Sequence, residues 1–367
     1  MYKKLTVLLV LTMIFSFLWH CRPVEKEEFL PARTIVLVNP SNWSLNSFLY
    51  LVENGIVDVE DVLWRVIYDS KSVDRYRGGQ ALPEKYPSLK IQLDMFNEDL
   101  KGDLIFQENS LTGNFRKIFD ESEGMLFFGG GDIPPASYGE KTNLLSGIDT
   151  PHRHYFELSL LFHLLGGYQN EKMVPFLQDR TDYVVFGFCL GMQTMNAATG
   201  GTLIQDIPSE VYGLNYIEDI LLLEPDQLHQ NYWNKLYADD ELSGNQFHKI
   251  RLLPDQFWIR ELNNDPALQP LVYSYHHQAL EKIGKGFVVG ATSLDGKIVE
   301  SIHHNTFRNV LGVQFHPENY LLYQAEEKNY KFMPTDSVYQ SHYEILDNSN
   351  SLDFHFGYWD YFNSLFD

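Results

Sequence analysis

The run Tyr183-Val184-Val185-Phe186-Gly187-Phe188-Cys189-Leu190-Gly191-Met192-Gln193 constrains the fold of this chain more than any other segment. An apolar, β-branched stretch enters Gly-x-Cys-x-Gly, and helix-forming residues from Leu190 to Ala198 follow at once. A strand that passes directly into a helix needs a tight turn, and such a turn displays a nucleophile at its tip. Glycines two before and two after Cys189 fit that geometry, because side chains there would strike the turn and neighbouring strands. A helix N-terminus behind Cys189 favours a thiolate. Taken alone, the motif also describes a buried cysteine on a core strand with glycines that merely close a turn.

The rest of the chain repeats the same alternation. Short apolar runs at Thr34–Val38, Gly124–Phe128, Gly286–Gly290 and Val310–Phe315 read as strands, and Tyr155–Leu165 and Leu190–Ala198 read as helices. Strands alternating with helices predict an α/β domain built on a mostly parallel sheet. No Gly/Ser linker, internal repeat or low-complexity segment divides residues 34–367, so they are read as one domain. Residues 217–245, acidic and aromatic, form a candidate insertion. The aromatic end, Tyr358-Trp359-Asp360-Tyr361-Phe362, reads as a closing helix that packs, rather than a platform for carbohydrate or nucleic acid.

A thiolate nucleophile needs a base, and the base needs an orienting acceptor. Gly312-Val313-Gln314-Phe315-His316-Pro317-Glu318 supplies both, since positions i and i+2 of an extended segment share a side. Glu318 then holds one imidazole nitrogen of His316 while the other faces Cys189. Gly129-Gly130-Gly131-Asp132, at the end of a strand, lets backbone N–H groups approach a substrate and stabilise an oxyanion. It does not fit a phosphate-binding fingerprint.

Gly-x-Cys-x-Gly-x-Gln with a distant His-Pro-Glu resembles the class I glutamine amidotransferase-like superfamily. Within it, the chain is most similar to the gamma-glutamyl hydrolase and gamma-glutamyl-gamma-aminobutyrate hydrolase branch of peptidase type. The likeness covers about residues 34 to 320. It includes Pro135 and Tyr138 after the glycines, Arg153 with Glu157, Met195-Asn196, Gly200-Gly201-Thr202, Gln205-Asp206-Ile207-Pro208 and Ser274-Tyr275-His276-His277-Gln278-Ala279. The resemblance implies a flavodoxin-like three-layer sandwich around a mostly parallel sheet, with no cofactor and no metal. It implies Cys189 as nucleophile, His316 as general acid/base and Glu318 as orienter. The N–H groups of Gly130 and Leu190 would form the oxyanion hole, with Gly131, Gln193 and His276 on the substrate. The implied reaction is hydrolysis of a small gamma-glutamyl amide through a gamma-glutamyl thioester. Phe128, His154 and Leu190 depart from the usual Pro, Asp and Arg of the branch, leaving the triad intact and bearing on the leaving group. Two other readings stay open: a glutaminase-type amidotransferase with a separate partner, and a catalytically silent, surface-tethered binding protein.

Charge and cysteine content exclude further classes. Lys+Arg 28 against Asp+Glu 49 gives a formal charge of −21, which argues against broad nucleic-acid binding. Two cysteines, Cys21 and Cys189, exclude a disulfide scaffold and a four-thiolate zinc site. With a separate task for each, no disulfide between them is expected. His152-Arg153-His154 and His303-His304 lack accompanying ligands at metal spacing and read as surface or supporting histidines. Oligomeric state has no sequence signature.

Lys3 and Lys4 followed by the apolar run Leu5 to Trp19 read as an export signal over residues 1–21, with a short linker at 22–33. Leu18-Trp19-His20-Cys21 resembles a bacterial lipobox with His20 in place of a small residue. The expectation is an exported protein, either periplasmic or membrane-anchored by a lipid on Cys21. An ordinary signal peptide, or an uncleaved anchor with Cys21 incidental, is the competing reading. Mass spectrometry of the mature N-terminus decides: lipidation predicts a first residue Cys21 carrying acyl chains, and an unmodified residue other than Cys21 defeats it.

Overall fold

A computed structural model of the chain describes residues 33–71, 82–148, 150–237, 239, 241–254, 256–325 and 330–367. The expected signal segment, Cys21 and all of the linker except Arg33 lie outside these residues. The strands are β1 Arg33–Val38, β2 Val62–Asp69, β3 Lys90–Phe96, β4 Gly124–Phe127, β5 Val184–Phe188 and β6 Leu203–Ile204. They continue with β7 Gln246–Leu252, β8 Leu271–Ser274, β9 Ala279–Leu280, β10 Phe287–Ser293, β11 Val299–His304 and β12 Val310–Val313. The longer helices are α1 Asn42–Glu53, α2 Thr112–Asp120, α3 Pro151–Leu165, α4 Leu190–Ala198, α5 His342–Asn348 and α6 Leu352–Ser364.

One sheet runs in the order β3-β2-β1-β4-β5-β12-β11-β10-β7-β8, and β6 pairs with β9 in a separate ribbon. From β3 to β12 the pairings are parallel, and beyond β12 they are antiparallel. Without the edge strand β3, the parallel part reads 2-1-4-5-12, the 2-1-3-4-5 pattern of flavodoxin-like sheets. The α/β class with a mostly parallel sheet, expected from the alternation of elements, is therefore the fold.

The period-2 alternation of β1 divides the core. Ile35 and Leu37 point to a cluster that includes Phe48 of α1 and Tyr358, Trp359 and Phe362 of α6. Val36 and Val38 point to the other face, with Phe115 of α2, Leu161 of α3 and Met195 of α4. Helices thus cover both faces, giving three layers. The closing helix starts earlier than the sequence indicates, at Leu352, because Leu352 and Phe354 are also apolar and buried. Helix α3 likewise starts at Pro151, since proline is well suited to a first helical turn. Strands β2 and β3 escape a search for continuous apolar runs because Arg65, Asp69, Gln92 and Asp94 interrupt them.

The register aligns Phe127 with Gly187 and Gly187 with Gly312, so β4, β5 and β12 end side by side. The turns after these three parallel strands open into the crevice where ligands bind in such folds. Helix α4 then packs back onto β4 so closely that a Cβ on Gly191 would collide with the Phe127 carbonyl oxygen. Backbone cannot yield as a side-chain tip can. Gly191→Ala is therefore expected to destabilise by about 1–3 kcal/mol or more. Gly113→Ala, where an added Cβ meets nothing within 4 Å, should shift stability by no more than about 1 kcal/mol. Urea melts of both variants check the contrast, and equal midpoints would contradict it.

Candidate active site

Cys189 occupies the apex between β5 and α4 with φ 52° and ψ −108°, a left-handed conformation that L-residues rarely adopt. Such a conformation costs about 1–3 kcal/mol and persists only where its surroundings enforce it. Here the Cys189 N–H donates to the Val313 carbonyl at 2.8 Å, and its carbonyl accepts from Gln193 N–H at 3.2 Å. A Cβ on Gly187 would lie 2.7 Å from the Gly191 carbonyl carbon, so the turn leaves no room for a side chain there. Cys189 is buried, and as the N-cap of α4 it receives the positive end of that helix.

His316 and Glu318 follow β12, the neighbour of β5. His316 Nδ1 stands 2.8 Å from Glu318 Oε1, and the imidazole lies close enough to Cys189 for the sulfur to favour its charge. Burial opposes a charge on His316, but the Glu318 carboxylate and Cys189 outweigh it and hold its pKa well above the ordinary histidine value. The imidazole thus keeps its proton beside the sulfur. Glu318 is fully buried, and aromatic residues from the C-terminal part fix its loop. Tyr323 Oη donates to the Pro317 carbonyl at 2.9 Å, and Trp359 Nε1 donates to the same carbonyl at 3.3 Å.

The glycine turn after β4 is set by a buried ion pair. Arg153 Nη2 donates to the carbonyls of Phe128 and Gly129, both at 3.1 Å, and Arg153 Nε pairs with Glu157 Oε1 at 2.7 Å. The Gly129 carbonyl and the Gly130 N–H belong to one trans peptide plane, so a carbonyl turned toward Arg153 sends that N–H the opposite way. A Cβ on Gly129 would sit 2.8 Å from His316 Cε1, and one on Gly130 would collide with Arg153 Nη1. Leu190, first residue of α4, has an N–H with no intrahelical acceptor, next to Cys189. Its side chain is buried and does not line either cavity at the site.

Two cavities meet at Cys189 and at Gly130 and Gly131. One, of about 430 Å³, is lined by Asp132, Gln193, Asp206, His276, His277 and Gln278, and on its far side by Ile217, Ile220 and Tyr232 of the 217–245 segment. The other, of about 640 Å³, is lined by His316 and by Trp43, Tyr273, Tyr275, Leu321 and Tyr330. The structure thus gathers Cys189, His316, Gly130, Gly131, Gln193 and His276 at one crevice, with Glu318 buried behind His316 and Leu190 next to Cys189 in the chain.

Gln314 and His277 had no assigned role. Gln314 Nε2 lies 3.6 Å from Cys189 Sγ and its Oε1 accepts from Gln193 Nε2 at 3.2 Å, so Gln193 holds the amide that faces the sulfur. His277 bridges Asp132 and Asp206, with Nε2 3.1 Å from Asp132 Oδ2 and Nδ1 3.3 Å from Asp206 Oδ1. Burial opposes its charge, but hydrogen bonds to Asp132 and Asp206 prevail and push its pKa up to about 9. His276, beside it, is held well below the ordinary value by burial and by His229. Its position in the chain gave no hint of that opposite behaviour. The other expectation to correct concerns His154, His303 and His304. All three are buried, not on the surface, and the one group of metal-ligand type among the described residues lies elsewhere, at His229, His248 and Glu300.

The pattern of the peptidase C26 family matches residues 104–318, more than half of the chain. The chain belongs to that family. It is 29% identical over 204 residues to a Mycobacterium tuberculosis protein named "Putative glutamine amidotransferase", covering 56% of this chain and 53% of that one. The match therefore spans about half the length of that relative. A Lactococcus lactis "Putative glutamine amidotransferase-like protein" is 27% identical, over 62% of this chain and 78% of its own. Among solved structures, a "putative gmp synthase subunit a protein" from Thermoplasma acidophilum aligns with 89% of this chain and 93% of its own at 12% identity, with a TM-score of 0.36. That likeness carries no argument. Among the described residues no helix is long and apolar enough to cross a membrane.

The His277 bridge has a pH signature. A histidine whose folded pKa exceeds its unfolded value of about 6.5 stabilises the fold fully below that value. The contribution is lost as pH rises through about 9. His277→Gln should therefore cost stability at pH 6 and little at pH 10, measured by denaturant melts across that range. A difference from the parent that does not change with pH contradicts the bridge.

Proposed function

We propose that this peptidase C26 family member is a cysteine hydrolase that cleaves gamma-glutamyl amide bonds. The observation that carries the reading is the line Cys189, His316 and Glu318, with His316 protonated between the sulfur and a buried carboxylate. In the first half-reaction the sulfur of Cys189 attacks the amide carbonyl carbon. The oxygen gains negative charge and is met by the N–H groups of Gly130 and Leu190. His316 gives its proton to the departing nitrogen, the C–N bond breaks, and an amine leaves. A gamma-glutamyl thioester remains on Cys189. Water then attacks the thioester carbon while His316 takes its proton, and the C–S bond breaks to release the acid and restore the pair. Glu318 stabilises the imidazolium each time it forms.

The two cavities support a division of the substrate. The first holds two carboxylates, Asp132 and Asp206, bridged by the cationic His277, a net negative arrangement that offers acceptors to an alpha-ammonium. The glutamyl half is assigned there. His316, the acid for the departing nitrogen, lines the second cavity, whose aromatic wall fits an amine with an apolar or aromatic body. A glutaminase-type amidotransferase acting with a partner is the second reading, favoured by the names of the relatives. Export, with an anchor on Cys21, belongs to the proposal on sequence grounds alone.

The test is turnover of gamma-glutamyl anilides, small gamma-glutamyl alkylamides, folyl-polyglutamates and glutamine. Anilide hydrolysis is expected to exceed that of the alkylamides. Cys189→Ala should abolish it, and Glu318→Gln should lower kcat by about 10²–10⁴-fold with little change in KM. Activity that survives Cys189→Ala overturns the nucleophile. Ammonia release from glutamine alone favours the amidotransferase, and saturable binding without turnover favours a silent scaffold.

A further inference from the structure

His229, His248 and Glu300 converge from three separate places in the chain. His248 lies on β7, and Glu300 lies on β11, two strands away across β10. Between β10 and β11 the register jumps from Ala291 opposite Ser301 to Thr292 opposite Val299. Glu300 is thus the extra residue of a β-bulge, a device that re-aims a side chain. His229 comes from the 217–245 segment, between the turns Pro225–Gln227 and Tyr232–Lys235. All three side chains are buried.

Their donor atoms lie within 4.8 Å of one another. Glu300 Oε1 is 3.1 Å from His248 Nε2 and 3.4 Å from His229 Nδ1. Ligands about 2.0–2.1 Å from a tetrahedral zinc ion are about 3.3–3.4 Å apart, so these separations are those of a tetrahedron's edges. The hydrogen bonding within the cluster is incomplete for a self-contained network. His229 Nδ1 and Nε2, His248 Nδ1 and Glu300 Oε2 are buried with no hydrogen-bond partner. His229 Nδ1 stands 3.4 Å from the carboxylate, outside good hydrogen-bond geometry. Leaving several buried polar atoms unmatched in one place is costly, and a bound cation would offset that cost.

We propose that His229, His248 and Glu300 bind a divalent transition-metal ion of the zinc class. Two imidazoles and one carboxylate suit zinc and not magnesium or calcium, which take oxygen ligands. His276 is the neighbour best placed for a fourth ligand. Its ring is 4.9 Å from that of His229, and its Nδ1–H donates to the Gln278 carbonyl at 2.8 Å. Its Nε2 is buried without a partner. A histidine whose second nitrogen is anchored on a backbone carbonyl has the usual orientation of a metal ligand. The ion acts structurally: it ties the 217–245 segment to β7 and β11. The His229 carbonyl in turn accepts the His276 N–H at 3.0 Å, at the wall of the first cavity. The inference stands apart from the assignment of Cys189, because metal binding is read without turnover.

The experiment uses the full chain purified without a metal-affinity step, stripped with chelator and titrated with Zn²⁺, Co²⁺, Mg²⁺ and Ca²⁺. One zinc per chain by elemental analysis is expected, with a higher melting temperature and a visible Co²⁺ absorption of tetrahedral type. Mg²⁺ and Ca²⁺ should do neither. Glu300→Gln and His248→Gln should weaken zinc binding by at least about 100-fold, beyond the effect of changes outside the ligand set. Where these variants fail to fold, the titration of the parent chain decides. Failure of the stripped parent chain to take up zinc and to give the cobalt spectrum overturns the proposal. So does zinc binding that is unaltered in folded Glu300→Gln and His248→Gln.

Discussion

The left-handed backbone at Cys189 is the constraint on which the site depends. Its cost is met by neighbours on both sides: the Val313 carbonyl fixes its N–H, and α4 continues the chain from its carbonyl. That arrangement needs β5 to lie beside β12 in one register, Gly187 opposite Gly312, and α4 to lie against β4. A slip of one residue in the β5–β12 pairing would remove the acceptor of the Cys189 N–H and point every side chain of β5 to the other face. Register, glycine positions and nucleophile geometry are therefore one requirement. The local strain is offset by the burial of a whole sheet rather than by any single contact.

The acid/base side and the oxyanion side are held by different means. At the glycine turn a buried Arg153–Glu157 pair holds two carbonyls, leaving the Gly130 N–H directed away from Arg153. The pair is not a stabilising ornament. Burial raises the Glu157 pKa despite Arg153, showing that desolvation consumes much of the Coulomb attraction. Its effect is positional. On the acid/base side, His-Pro-Glu is held by Tyr323 and Trp359, so α6 reaches the catalytic loop through the Pro317 carbonyl. A tail that the sequence marks only as aromatic and packing thereby supports the group that must carry a proton.

What could be read in the sequence follows from distance along the chain. The elbow and the His-Pro-Glu segment are local: glycine spacing and an i, i+2 pair carry the geometry within a few residues. The central parallel strands β1, β4, β5 and β12 were legible for the same reason, because strands buried on both faces form continuous apolar runs, whereas the charged and polar residues of β2 and β3 hid those two. The antiparallel half was less so, since β7 carries His248, Lys249 and Arg251 among its apolar residues. The bridge of His277 to Asp132 and Asp206 joins residues separated by 145 and 71 positions, and Gln314 meets Cys189 across 125. No spacing rule reaches that far. The adjacent histidines His276 and His277 are shifted in opposite directions because burial and then His229 disfavour charge on the first, while two carboxylates outweigh burial at the second. Sequence shows the pair, and only the tertiary surroundings distinguish its members.

The 217–245 segment poses a different physical problem. It contains one four-residue helix, Ile217–Ile220, and single turns, so little backbone hydrogen bonding organises it. Its own apolar cluster, built on Ile220, Leu228 and Tyr232, is small. Burying so small a cluster does little against the conformational entropy lost in ordering the backbone. A segment of this length therefore cannot hold its shape on its own apolar contacts; it needs anchorage to the sheet. Polar contacts fasten it at defined points: Lys249 N–H of β7 donates to Asp226 at 2.8 Å, and Asn231 binds the carbonyls of Ser243 within the segment and Phe332 outside it. The buried convergence of His229 on His248 and Glu300 is the deepest of these points. Because Ile217, Ile220 and Tyr232 wall the first cavity, the anchors that fix the segment also fix the outline presented to a substrate. The outline of the first cavity is thus set partly by how a poorly self-sufficient segment is fastened, independently of the strained turn at Cys189.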